Sequence, residues 1–204
     1  MEQVASASLH FFEAAYPLQR LASSMLIIDV AGGIGIASIF LAEKLPKQRF
    51  LVTDYQSVIE QGKATCPAHL RARVQYVAHD MFEPYHNLGF EKNSERVFLL
   101  KQILHDWSDD QCVTILSNIL DCFGPSDRLL IIDSVKPVEG TGLSTAMSEI
   151  MVMSTFGGRH RNYAEFQTLV CAARSNALVQ TSFANAGQYD DFLVLEVRVG
   201  DNER

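Results

Sequence analysis

Short apolar runs rich in branched residues alternate along the chain with stretches whose apolar positions recur at helical spacing. Leu26-Ile27-Ile28-Asp29-Val30, Arg49 to Asp54, Val74 to Ala78, Val97 to Lys101 and Arg128 to Asp133 read as strands. After the first, Ile36 to Leu45 has helical spacing and stops at Pro46; after the second, a short helix is expected at Ser57 to Glu60. The best-marked helix follows the fourth strand. Ser108 and Gln111 form a capping box, Cys112, Ile115, Leu116, Ile119, Leu120 and Phe123 line one face, and Gly124-Pro125 ends it. Strands that are almost wholly apolar, joined by short helical crossovers, predict an α/β fold with a mainly parallel, doubly wound sheet buried on both faces.

The two ends of the chain are less regular. Leu9 to Leu21, interrupted by Pro17, reads as one helix or two half-helices covering the sheet. Glu83 to Glu95 is turn-rich and reads as a loop. Leu143 to Thr155 reads as a Met-rich helix, Tyr163 to Ala173 as another, and Phe192 to Val197 as a closing strand. The segment after Ala173 is weakly patterned.

The first strand leads into Asp29-x-Ala31-x-Gly33-x-Gly35, an acid followed by small residues at every second position. A strand, a glycine turn and a helix in this order let backbone pass close to a nucleoside or phosphate that a Cβ would exclude. The spacing is not the G-x-G-x-x-G of a dinucleotide site. Taken alone, it fits an ordinary tight strand-to-helix turn equally well. Asp54 ends the second strand about 20 residues further on, where a carboxylate can accept from ribose hydroxyls or serve the helix that follows. His79-Asp80-Met81-Phe82 follows the third strand and faces the same crevice; an acid there can accept from an adenine amino group and a methionine can cover the ring.

Composition narrows the function. The 204 residues fit one domain, and a formal charge of -7 with no basic stripe argues against a nucleic-acid surface. Cys66, Cys112, Cys122 and Cys171 are scattered, with no pairing or metal-ligand spacing, so no metal is expected and a reducing compartment is. Met25 to Ala42 is apolar, but Asp29 and the glycines argue against a membrane span. With no basic segment preceding an apolar core near Met1, a cytoplasmic location is expected.

The fourth strand delivers Lys101-Gln102-Ile103-Leu104-His105-Asp106-Trp107-Ser108-Asp109, which resembles the K/R-x-x-x-H-D-W-S/P-D segment of the S-adenosylmethionine (SAM) dependent O-methyltransferases typified by plant caffeic acid enzymes and their fungal polyketide-modifying relatives. Asp29 to Gly35, Asp54-x-x-x-Val58-Ile59, Asp80-Met81-Phe82 and Pro137 fall in the same order, so the resemblance covers about residues 25–170. It implies a Rossmann-like methyltransferase fold with an antiparallel last strand, and methyl transfer from SAM to a phenolic or polyketide-like hydroxyl in secondary metabolism, with S-adenosylhomocysteine as product. It also implies that Asp29, Gly33, Gly35, Asp54, Asp80, Met81 and Lys101 form the SAM site and that His105 is the general base.

Two carboxylates flank the histidine in that family. Asp133 stands where the first, usually a Glu, is expected. The second lies in a G-G-K/R-E-R-T segment, which here reads Gly157-Gly158-Arg159-His160-Arg161-Asn162, so His160 replaces it. Family members also carry a long N-terminal region that builds a dimer and closes the acceptor pocket. Here residues 1–24 read as a helical remnant of it and residues 25–204 as the catalytic domain. The expected acceptor is a small aromatic or polyketide-like molecule, and both a homodimer and a heterodimer with a full-length methyltransferase stay open. The competing readings are a non-methylating dehydratase or pericyclase-like relative and a truncated partner subunit.

Overall fold

The structure, a computed structural model, describes residues 2–21, 25–90, 95–135, 147, 150–154, 157–183 and 192–200. Its centre is a seven-stranded sheet in the order β3-β2-β1-β4-β5-β7-β6. The strands are β1 (Leu26–Val30), β2 (Arg49–Asp54), β3 (Val74–Ala78), β4 (Arg96–Lys101), β5 (Arg128–Ser134), β6 (Ala177–Phe183) and β7 (Phe192–Val199). The first five are mutually parallel, and β7 is antiparallel to both β5 and β6. The mainly parallel sheet and antiparallel last strand expected from the sequence are both present.

The apolar strands are explained by what covers them. On one face α1 (Glu2–Ala15), α2 (Ile36–Lys44) and α3 (Gln56–Thr65) pack over Ile27, Phe50, Val97, Leu99, Leu130 and Ile132. On the other, α4 (Asp109–Leu120) and α5 (Tyr163–Ala173) pack over Ile28, Phe98, Leu100, Leu129 and Ile131. Successive residues of a strand point to opposite faces, so burial on both sides requires an unbroken apolar run rather than an alternating one.

Several elements differ from expectation. α1 starts at Glu2 and ends at Ala15, before Pro17, and α3 is longer than Ser57 to Glu60. Phe11 and Phe12 of α1 join the core of the sheet, and Tyr16 donates to the buried Glu196 carboxylate of β7 at 3.1 Å. Within Glu83 to Glu95, Tyr85 opens a 3-10 turn through Leu88 and is fully buried, bonded to Thr53 at 3.1 Å. β6 replaces part of the weakly patterned segment. Residues 147 and 150–154 are helical, as expected of the Met-rich stretch; the rest of Leu143 to Thr155, and Pro137, lie outside the described residues. Among the described residues no helix is long and apolar enough to cross a membrane.

Candidate active site

Parallel strands put all their carboxyl ends on one rim. Across β3, β2, β1, β4 and β5 that rim carries Asp80, Asp54, the glycine turn, Lys101 and Asp133 in spatial order. The residues chosen from sequence therefore share one edge of the sheet, with strand β1 at the centre of the row.

The glycine turn is built from below. Asp29 is 1% exposed, accepts from the Ser38 hydroxyl at 2.8 Å, and lies where a Cβ on Gly32 would meet its carboxyl group at 2.6 Å. Burial raises its pKa to about 6 against the opposing effects of the Ser38 hydrogen bond and of Lys101. Asp29 thus sits under the turn and supports it. Gly35 has φ +87°, and a Cβ there would lie 2.6 Å from the Tyr76 hydroxyl. That hydroxyl in turn donates to the Ile34 carbonyl at 3.1 Å. By contrast, nothing lies within 4 Å of the Cβ position of Gly33, which leaves an open surface on the rim.

Asp54 borders that surface. Its Oδ2 accepts the Gly33 amide at 2.9 Å and its Oδ1 accepts the Tyr55 amide at 2.7 Å. Each carboxylate oxygen retains a lone pair for a further donor. Tyr55, which sequence reasoning passed over, is 55% exposed beside it. Asp80 holds its own loop by accepting the Phe82 amide at 3.0 Å, and Met81 is 8% exposed, its carbonyl accepting from Asn118 at 3.3 Å. Lys101 runs beneath the rim: burial lowers its pKa, while Asp29 and Asp133 act to raise it. Its Nζ donates to the Ser8 hydroxyl of α1 at 3.3 Å, a contact 93 residues apart that no local pattern announces.

His105 sits on a 3-10 turn, Leu104–Asp106, just past β4. Gln102, between strand and turn, has φ +57° and bonds its side-chain amide to Ser134 at 3.2 Å. His105 Nδ1 lies 2.5 Å from Asp133 Oδ1, and its backbone amide donates to Asp133 Oδ2 at 3.3 Å. A carboxylate can only accept, so Nδ1 carries the proton and the neutral ring presents an acceptor lone pair at Nε2. Asp106 Oδ1 is 3.3 Å from Nε2. Burial pulls the His105 pKa down, but the charge and hydrogen bond of Asp133, with Asp106 behind them, outweigh it and the net direction is up. His160 is buried with its ring centroid 6.0 Å from that of His105. The structure therefore gathers His105, Asp133 and His160 at one end of the rim, with Asp106 as a member of the group that the sequence did not single out.

A cavity of about 650 Å³ opens elsewhere, between α3 and the outer edge of β3, lined by Lys63, Cys66, Arg71 and Tyr76 among others. Of the residues just described it shares only Tyr76, whose hydroxyl lies under the glycine turn. Among the described residues no three His, Cys, Asp or Glu side chains are arranged so that they could hold a metal ion.

A doubly wound sheet with an antiparallel seventh strand and an open glycine turn beside two strand-end acids place the chain in the Rossmann-like methyltransferase class of α/β proteins. Within it, residues 5–174 match the O-methyltransferase domain family, and the chain belongs to that family. It is 39% identical to the O-methyltransferase SAT18 of Stachybotrys chartarum over 97% of its own length and 49% of that protein. The mitomycin 7-O-methyltransferase MmcR superposes with a TM-score of 0.80 at 25% identity, over 96% of this chain and 53% of MmcR. A LepI variant in complex with SAH and a substrate analogue superposes at 0.79 and 25% identity, over 93% of this chain and 48% of LepI. The chain thus spans about half the length of these relatives.

Proposed function

We propose that the chain is the catalytic half of a SAM-dependent O-methyltransferase of secondary metabolism, with His105 as general base toward a phenolic or polyketide-like hydroxyl. The observation that carries this reading is the His105–Asp133 pair, at 2.5 Å, two strands away from an open glycine turn.

The residues on the rim fit the cofactor. The bare face of Gly33 admits a ligand against backbone, Asp54 and Asp80 are placed to accept from ribose and adenine, and Met81 and Tyr55 offer ring-covering surface. Gly35 and Lys101 complete the site, and Asp29 holds the turn in shape from below. When bound, SAM supplies a methyl group already activated on a sulfonium and leaves as S-adenosylhomocysteine. The protein's share is alignment and proton transfer.

A phenolic hydroxyl has a pKa of about 10 and attacks poorly while protonated. His105 Nε2 takes that proton as the oxygen attacks, and Asp133 stabilises the imidazolium that results. Asp106, 3.3 Å from Nε2, supplies a second carboxylate next to the ring. The family match over residues 5–174 and the O-methyltransferase relatives favour methyl transfer over the dehydratase or pericyclase alternative. Four free cysteines agree with a reducing, cytoplasmic setting.

The acceptor half of the site is proposed to come from a region equivalent to the half of the relatives that this chain does not span, in the same polypeptide or in a partner. Its support is the half-length match together with four exposed apolar side chains, Met147, Ile150, Met151 and Met153. The base assignment is tested with His105→Gln. Turnover of a phenolic acceptor panel is expected to fall at least about 100-fold, the lower range for loss of a general base. Calorimetric affinity for SAH should stay within about threefold, under 1 kcal/mol. Loss of SAH binding instead would make His105 part of the cofactor site.

A further inference from the structure

His105 stands on a weak platform. Its turn is closed by backbone bonds from Asp106 to Ile103 at 3.1 Å and from Trp107 to Leu104 at 3.3 Å. Single 3-10 turns have poor hydrogen-bond geometry and hold their side chains loosely unless something outside fixes them. In this fold the outside support comes from Asp133, which accepts the His105 amide at 3.3 Å, from the Cys112 thiol, which reaches the Leu104 and Trp107 carbonyls at 3.3 and 3.6 Å, and from residues 158–161. A Cβ on Gly158 would lie 1.9 Å from the His105 carbonyl oxygen, so the backbone there passes directly against the turn.

Arg161 does more. Its side chain is wholly buried. One terminal nitrogen donates to the Leu104 carbonyl at 2.6 Å and the other to the Trp107 carbonyl at 2.8 Å. Its Nε and the second terminal nitrogen reach Asp109 Oδ1 at 3.0 and 2.7 Å. The fork therefore grips the turn on both sides of His105 and ties it to the first residue of α4. The Arg161 backbone forms a parallel bridge to Val135, two residues beyond Asp133. One residue is thus registered to the strand that carries the carboxylate and clamped to the turn that carries the imidazole.

We propose that Arg161 is the positioning residue that sets His105 against Asp133, holding the ring where Nδ1 meets the carboxylate and Nε2 faces the acceptor. The proposal rests on the reading of His105 as the base. Burying a guanidinium beside a half-exposed carboxylate is costly, and an apolar side chain could fill the same space. What an apolar group or a Lys ammonium cannot do is reach both carbonyls and Asp109 with one rigid plane. A structural cation would serve α4; this one spans the catalytic turn.

The test is the imidazole ¹⁵N and proton spectrum of the ¹⁵N-labelled chain with and without SAH, the His105 signals being assigned by their loss in His105→Gln. The groups facing His105 are Asp133 from β5, Asp106 on its own turn, Lys101 from β4, and His160. In the native chain the Nδ1 proton should appear downfield and protected. In Arg161→Lys it should be lost to exchange and the His105 titration should move down by about one pH unit as the Asp133 contact loosens. SAH affinity should be retained, and with an acceptor kcat should fall about 100-fold with KM for SAM unchanged, the scale of an ångström-sized misplacement. A folded Arg161→Lys chain with unmoved His105 signals overturns the proposal. Should that variant not fold, Asp109→Ala releases one anchor of the fork, and a smaller shift in the same direction is expected; unmoved signals there overturn it equally. A His105→Gln chain that still methylates would remove the base assignment while leaving the spectroscopic result standing, so the two failures are told apart.

Discussion

His105 has a different oxygen at each ring nitrogen, and its behaviour with pH follows from that. Asp133 at Nδ1 raises the pKa above the ordinary histidine value in spite of burial. The base is the neutral form, so kcat/KM should climb as pH rises through that raised value and level off above it. In Asp133→Asn the charge is gone and burial, which favours the neutral ring, is left in command. The acid limb should then move to lower pH, while the plateau rate falls by about 100-fold because the imidazolium formed in the reaction has lost its counter-charge. A pH profile of methyl transfer on both chains is the check, and an acid limb that stays in place would show that Asp133 does not set the titration. At this scale the sequence was informative where chemistry lies in a local string, as at His105 and Asp54. It was silent on Ser8, and it marked Arg161 only as part of the family segment and not by its contacts, because their partners lie 93 and 57 residues away and nothing local distinguishes a buried, fully bonded Ser or Arg from an exposed one.

Elements were legible in proportion to how completely they are buried. β1, β4 and β5 are sandwiched between helices and so are apolar at nearly every interior position, the buried Asp29 and Asp133 being the exceptions. β6 is an edge strand: Ala177 is buried, Leu178 is 52% exposed, and the register slips between Val179 and Thr181. With one neighbour and a bulge it needs neither an apolar run nor clean alternation, and its polar residues hid it. α4 was legible for another reason, since Ser108 and Gln111 form the full capping box in the structure. The turn after β1 lends itself to a direct test. Gly35→Ala would put a methyl group 2.6 Å from the Tyr76 hydroxyl at φ +87°, two penalties at once. Denaturant unfolding should show a loss of about 1–3 kcal/mol, and SAH affinity should fall with it because the amides of the turn are displaced. Equal stability and affinity in the variant would mean that the turn adopts another conformation in solution.

At the scale of the whole molecule, the SAM half of the site and the acceptor half part company. Every residue proposed for the cofactor and for proton transfer lies at or just beyond five neighbouring strand ends of one sheet. At His105, Asp106 Oδ1 lies 3.3 Å from Nε2 and the His160 ring lies beside the imidazole, and no residue is assigned to the acceptor half. Past the last parallel strand the chain instead presents Met147, Ile150, Met151 and Met153 at 59–64% exposure. A row of flexible apolar side chains of this kind is costly to leave in water and adapts well to a partner surface. The relatives supply twice the chain length. If a second polypeptide covers this face, sedimentation of the purified chain should show self-association that strengthens with concentration, or association with the N-terminal half of a full-length relative added in trans. Met147→Glu with Met151→Glu should weaken either by about 10-fold or more, through the desolvation cost of two buried carboxylates. SAH affinity should be untouched, since the residues proposed for the cofactor lie on the rim. Methyl transfer should depend on the association, rising with the fraction of chain in complex. A chain that remains monomeric at all concentrations and methylates acceptors unaided would mean that residues 1–204 close the acceptor pocket themselves, and the exposed methionines would then belong to the pocket wall.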